Sequence, residues 1–283
     1  MTTSDTAPFT PHWLALREDA DAAARAADLL GPLREHLAAA SRGSGPLVVR
    51  DLGCGTGSMG RWLTGRLPGP QHWILHDHDP ALLALAAASL GGRTAGGSPV
   101  TAETREGDLT RLSAADLAGT SLVTASALLD LLTADEIDAL AATCTAAGVP
   151  VLFGLSVVGE VGLGPADPLD AEIAAAFDAH QRRRAGGREL LGPDALAAAT
   201  RAFTRHGATV TTRPSPWRLG PDQAALTAEW LRGWVGAAVE QEPALAARAD
   251  AYLRRRLEAC AAGELTAVVG HGDLLALPGG EAR

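Results

Sequence analysis

Asp51, Gly53, Gly55 and Gly57 stand at alternating positions in VVRDLGCGTGSMGRWL, residues 48–63. An apolar run that ends in an acid and then in spaced glycines predicts a buried strand opening into a bare turn. Glycine lets main-chain N–H groups approach a ligand closely and adopts backbone angles that other residues resist. A carboxylate beside such a turn can accept hydrogen bonds from the same ligand. Two more acids follow apolar or alternating runs, Asp77 at the end of HWILHD and Asp108 in REGDL. Three carboxylates and a glycine turn, each just past a strand, form a constellation suited to holding a polar cofactor.

The elements that must position these residues follow from the hydrophobic pattern. Residues 13–40 carry apolar positions at spacings of three and four and predict a helix, broken near Gly31-Pro32. Short apolar runs at 46–53, 72–77, 100–109, 121–126 and 149–157 predict strands, and helical patterns at 80–90 and 134–148 lie between them. Such alternation implies a doubly wound α/β sheet, with the ligand beyond the carboxyl ends of the strands. Residues 159–168 read as a loop, 169–184 and 192–207 as helices, and 208–219 as a strand ending at Pro214. Residues 220–263 read as two helices split at Pro243, and 265–278 as a long strand bulged at 270–272. The expected organisation is one domain over 1–283. It comprises N-terminal helices in 1–45, a cofactor-binding half in 46–157, helical lid additions in 158–190 and 220–263, and a closing strand in 264–278.

Composition excludes several kinds of chemistry. All 24 basic residues are arginines, so lysine Schiff bases and the P-loop lysine are ruled out. The formal net charge of −9 argues against nucleic acid, since the dense basic runs are only RRRAGGR (182–188) and RRR (254–256), which read as solvated helix ends. Cys54, Cys144 and Cys260 lie far apart, which predicts neither disulfides nor a metal site. No apolar run reaches the roughly 18 residues of a membrane span, and the first residues lack the layout of a secretory signal. The expectation is a cytoplasmic protein.

Asp51 to Gly57 spell DxGxGxG, while Gly55, Gly57 and Gly60 also spell the dinucleotide pattern GxGxxG. Taken with Asp77 and Asp108, the chain resembles class I S-adenosylmethionine-dependent methyltransferases over residues 47–157 and the closing strand. A dinucleotide reading gives no role to Asp51 or to the GDL stretch. The resemblance implies a Rossmann-like seven-stranded sheet, mostly parallel with an antiparallel last strand, plus helical cap additions. It implies S-adenosylmethionine as cofactor, held by Asp51, Gly53, Cys54, Gly55, Gly57, Asp77, His78, Asp108, Leu109 and Ser126. In that family the second acid takes the ribose hydroxyls, the third commonly bonds the adenine amino group, and residues leaving the fourth strand line the methyl-transfer site.

Methyl transfer to a hydroxyl also needs a proton acceptor. His180 in FDAHQRR is the first candidate because histidine titrates near neutrality; Asp130, one helical turn after Ser126, and Glu160 are alternatives. Arg17 and Arg25, with Asp21 between them at spacings of four, predict either a surface ion-pair ladder or a fork for an acidic group of cofactor or substrate. Trp217, beside Pro214 and Pro216, is a candidate cleft aromatic. The helical additions favour a small-molecule acceptor from specialised metabolism. Oxygen is favoured over nitrogen, because no aromatic cation cage is evident. The expected partners are thus a small molecule, no nucleic acid and no membrane, with a homodimer as the assembly to test. An RNA methyltransferase, an NAD(P)-dependent oxidoreductase and a non-catalytic cofactor-binding protein are the alternatives.

Overall fold

The computed structural model describes residues 10–40 and 45–279. Helices α1 (Pro11–Ala24) and α2 (Leu30–Ala40) precede strand β1 (Leu47–Leu52), helix α3 (Ser58–Thr64), strand β2 (Gln71–Asp77) and helix α4 (Pro80–Ser89). Strands β3 (Gly92–Arg93), β4 (Pro99–Glu106) and β5 (Leu122–Ser126), helix α5 (Ala134–Ala146) and strand β6 (Val151–Gly164) follow. The chain continues through helix α6 (Asp170–Gln181), the hairpin strands β7 (Arg184–Ala185) and β8 (Arg188–Glu189), and helix α7 (Ala195–Arg205). It ends with strands β9 (Thr209–Pro214) and β10 (Trp217–Leu219), helices α8 (Ala224–Gln241) and α9 (Ala246–Ala261), and strand β11 (Thr266–Leu277).

The sheet runs β10-β11-β6-β5-β1-β2-β4-β3, with β9 also on β11. β1, β2, β4, β5 and β6 are parallel, and β11 is antiparallel to its neighbours. β9 and β10 pair with successive stretches of the same side of β11, residues 272–277 and 267–269, and proline at 214 and 216 removes N–H donors from the run between them. By position this is the seven-stranded Rossmann-like sheet with an antiparallel last strand, extended at the far edge by the two residues of β3.

Two elements differ from the sequence reading. The N-terminal helix breaks after Ala24, not near Gly31-Pro32. Pro32 falls in the first turn of α2, where its missing N–H leaves no helical bond unmade. Residues 159–164 are strand rather than loop. β11 pairs with β6 from Ala276↔Val151 out to Thr266↔Gly164, with register shifts at Val269/His271 and Gly272/Leu274. That continuous ladder overrides glycine's weak strand preference.

Three apolar clusters hold the layers. One packs α5 and α7 on β5, β6 and β11 through Phe153, Ile137 and Phe203. A second packs α2, α3 and α4 on the opposite face through Leu33, Trp62 and Trp73. The third joins α6, α8 and α9 to β10 and the start of β11 through Ile173, Trp217, Trp234 and Tyr252, and α1 packs against it through Trp13, Leu16 and Ala20. The two N-terminal helices therefore part company: α2 belongs to the sheet, while α1 bridges the cap and α3, where Arg61 bonds Glu18 and the Trp62 indole N–H donates to the Ala22 carbonyl. Among the described residues, no helix is long and apolar enough to cross a membrane.

Candidate functional site

A cavity of about 360 Å³ opens between the carboxyl ends of β1, β2, β4 and β5 and the inner face of α1. Its floor is the turn after β1. Gly53, Gly55 and Gly57 have φ of 61°, 54° and 86°, in the left-handed region that side chains resist. A Cβ on Gly53 would lie 3.0 Å from Leu128, and one on Gly55 3.2 Å from Leu14. The turn is pinned by Cys54 N–H donating to the His76 carbonyl at 2.9 Å and by Gly57 N–H donating to the Cys54 carbonyl at 2.8 Å. Gly57 itself is absent from the wall; it caps α3 and keeps that helix close to Ala86.

All three acids line the cavity. Asp51 is fully buried; its Oδ1 accepts from the Thr124 hydroxyl at 2.8 Å, and its Oδ2 has no hydrogen-bond partner. Burial pushes its pKa up to about 7, against the opposing pull of the Thr124 bond and the field of Arg25. Asp77 accepts from Gly55 N–H at 2.9 Å and Asp79 N–H at 3.0 Å, so its carboxylate is locked to the turn it faces. Asp108 accepts from Thr110 N–H and hydroxyl at 2.9 and 2.6 Å. Cys54 lies on the same wall, where burial raises its thiol well above the ordinary range, so it stays protonated.

Opposite the acids lies an arginine pair with divided roles. Arg17 forks onto Asp21 at 2.9 and 3.2 Å, and both line the cavity. The Trp217 indole N–H donates to the same Asp21 at 2.9 Å, and the Arg17 guanidinium lies 5.1 Å from the Trp217 ring. Because α1 ends at Ala24, Arg25 leaves the ladder. It donates from Nη2 to Ser58 and Ser126, each at 3.2 Å; both serines line the cavity, whereas Arg25 itself does not and lies behind them. Arg25 is 4% exposed, yet its Nε and Nη1 have no partner. Burial lowers its pKa while Asp21, Asp273 and Asp51 oppose the loss. Its segment is fastened by Asp273, whose carboxylate accepts from Ala26 N–H and Leu155 N–H, each at 2.8 Å, and from the Ser215 hydroxyl.

Several candidates lie elsewhere. His180 is outside the cavity, on the α6–α8 interface, with Nε2 3.3 Å from Glu240 and Nδ1 3.2 Å from Arg183. Burial and Arg183 lower its pKa. Glu160 follows the unforeseen extension of β6 into a separate groove beneath α6. Trp217 is buried behind Arg17 and Asp21 and supports them instead of lining the cleft. Asp130 is on the turn that supplies Leu128 and Leu131 to the wall; its Oδ1 is buried without a partner, and burial raises its pKa. His78, Leu109 and Ser126 do line the cavity; His78 is 86% exposed by side chain and 3.3 Å from Asp77.

No family model matches the chain, and no curated protein matches it. Solved structures do resemble it. A methyltransferase from Geobacter sulfurreducens in complex with S-adenosyl-L-homocysteine is 19% identical, with 95% of this chain and 98% of that one covered and a TM-score of 0.42. A methyltransferase from Methanosarcina mazei is 10% identical, with 83% and 94% covered and a TM-score of 0.47. A cyclopropane synthase from Mycobacterium tuberculosis is 11% identical, with 95% and 100% covered and a TM-score of 0.43. The likeness is one of fold.

The sequence reading missed Asp21, Ser58, Met59 and Arg188 as cavity residues. Asp21 was visible only as the middle of an ion-pair ladder. Ser58 follows directly from the glycine turn and could have been found as the first residue of the helix there. Nothing in the local pattern marks Arg188. Among the described residues, no group of three or more His, Cys, Asp or Glu side chains could hold a metal ion.

Proposed function

We propose that the chain is an S-adenosylmethionine-dependent methyltransferase acting on a small-molecule acceptor. The observation that carries this reading is a pair of buried, incompletely bonded charged groups at one glycine turn, Asp51 on the cavity wall and Arg25 behind the wall serines. Asp51 offers an unpartnered oxygen, and Arg25 offers two unpartnered N–H groups beside the serines of the wall. A buried charge without a partner is costly, so the pair suits a ligand carrying an ammonium and a carboxylate on one carbon. Asp77, fixed to the same turn, would take the ribose hydroxyls, and Asp108 with Leu109 would face the base. A pyrophosphate fits this wall badly, because the Asp51 and Asp77 carboxylates flank the turn where its charge would lie. The named methyltransferases among similar folds agree with this reading without carrying it.

When bound, S-adenosylmethionine supplies a methyl group on a sulfonium that is already a good leaving group. The protein's task is then to position the acceptor. Good orientation is worth on the order of 7–11 kcal/mol in intramolecular models. Leu14 and Leu131 would exclude water, and Arg17, braced by Asp21 and Trp217, would orient a polar substituent. Asp130 does not line the cavity but adjoins the wall residue Leu131, and it is the proposed proton acceptor for a hydroxyl, the acceptor we favour over an amine. A positioned base contributes about 10²–10⁴-fold. In this reading the chain is a single cytoplasmic domain, with α1, α6, α8 and α9 as its cap, serving specialised metabolism.

Calorimetric titration tests the cofactor. Saturable binding of S-adenosylhomocysteine with no heat from NAD is expected, and the reverse pattern overturns the reading. With a true acceptor, Asp130→Asn should lower turnover and leave cofactor affinity intact.

A further inference from the structure

The run RRRAGGR is solvated at the end of α6, as expected, and then continues into a hairpin. Arg182 pairs with Asp194, Arg183 donates to the His180 carbonyl, and Arg184 pairs with Glu189, all close in sequence. Arg188 alone of the four reaches the cavity wall. It stands on β8 of a short hairpin, whose turn is Gly186-Gly187 with φ of 59° and 81°. Two successive left-handed residues suit a two-residue hairpin turn, so the two glycines swing Arg188 back toward α5.

There Arg188 Nε donates to Glu136 Oε1 at 2.9 Å, and Nη2 donates to Glu136 Oε2 at 2.6 Å and to the Leu131 carbonyl at 3.0 Å. Glu136 is itself held in a capping box with Thr133 at the start of α5. Just past the hairpin, Leu191 N–H donates to the Leu132 carbonyl at 3.0 Å. The guanidinium is thus fixed edge-on by its fork, on the same cavity that Asp108, Leu109 and Thr110 line. A guanidinium bonded through its edge keeps its flat faces free for stacking on an aromatic ring.

We propose that Arg188 is a stacking residue for the nucleobase and that the Arg188–Glu136 fork sets how long the nucleoside stays bound. The proposal rests on the methyltransferase reading, which puts the base at the Asp108 end. The two side chains are 44% and 22% exposed, so the fork is weak enough to open and is screened by salt.

The test measures release of radiolabelled S-adenosylhomocysteine under an unlabelled chase. Arg188→Ala should release it about three- to tenfold faster, with little change in the association rate. Release of S-ribosylhomocysteine, which lacks the base, should be unchanged by the same substitution. Release from the unaltered protein should quicken as ionic strength rises; Glu136→Gln, which keeps a side chain able to cap α5 but removes the charge, should speed release and abolish that salt dependence. A wild type that does not hold S-adenosylhomocysteine overturns the cofactor reading and this one with it. Tight binding, with release unchanged in both variants, overturns this inference alone.

Discussion

If Asp51 holds the ligand ammonium as proposed, affinity is a function of pH, and the size of the effect follows from the burial of that carboxyl. With a pKa pushed up to about 7, the carboxylate is about three-quarters ionised at pH 7.5 and about 3% ionised at pH 5.5. A ligand ammonium needs the ionised form, so affinity should fall about 25-fold over that interval, or about 1.9 kcal/mol at 1.36 kcal/mol per tenfold. The sign for stability without ligand is opposite. The native chain retains a proton that the unfolded chain has lost, so stability falls as pH rises from the ordinary carboxylate range to about 7. Ligand-induced thermal stabilisation should therefore grow with pH while the free protein weakens. Calorimetry with S-adenosylhomocysteine at half-unit pH steps measures the first trend and scanning calorimetry the second. Asp51→Asn should flatten the first and lessen the second, to which the buried Asp130 and Asp273 also contribute, and His78→Ala, at the exposed neighbour, should leave the affinity slope in place. An affinity constant between pH 5.5 and 7.5, or a slope that survives Asp51→Asn, refutes the assignment of the orphan oxygen.

Arg25→Ala removes the proposed partner of the ligand carboxylate and leaves Ser58 and Ser126 without their donor. Affinity for S-adenosylhomocysteine should drop by about 2–3 kcal/mol, the scale of a hydrogen bond to a charged group, and Arg25→Lys should recover only part of it. Gly57→Ala forces a side chain to φ 86° with its Cβ 3.3 Å from Ala86, at a cost on the order of 1–2 kcal/mol; thermal denaturation should show a fall of a few degrees. His180→Ala should lower melting temperature slightly and leave turnover unchanged, because the ring packs on the α8 side and not on the cavity; a loss of turnover with stability intact would return it to the catalytic set.

The glycine turn and its three acids were legible because their chemistry is local. A strand that ends in an acid and alternating glycines has few other uses, and the positive φ angles at 53, 55 and 57 are what that spacing requires. The cap was less legible. Whether residues 159–164 form strand or loop depends on a partner more than a hundred positions away, and only the long β11 ladder decides it. Arg25 illustrates the same limit. Its spacing from Arg17 and Asp21 predicts one helical face, but α1 stops one residue earlier and turns the side chain inward. His180 shared a helix edge with Ile173 and Phe177, and that edge packs on the third apolar cluster, away from the ligand. Helical spacing says which residues travel together. It does not say which neighbour they meet.

The Asp273 junction has a consequence for the order of folding. It ties positions 26, 155 and 215 to β11, which is distant in sequence from the first two. Ser58, Arg61, Trp62 and Ser126 already hold α1 and Arg25 to the first half of the sheet. Asp273 adds the longest-range tie, and a contact that must close so long a loop before it rewards the chain is expected to form late in refolding.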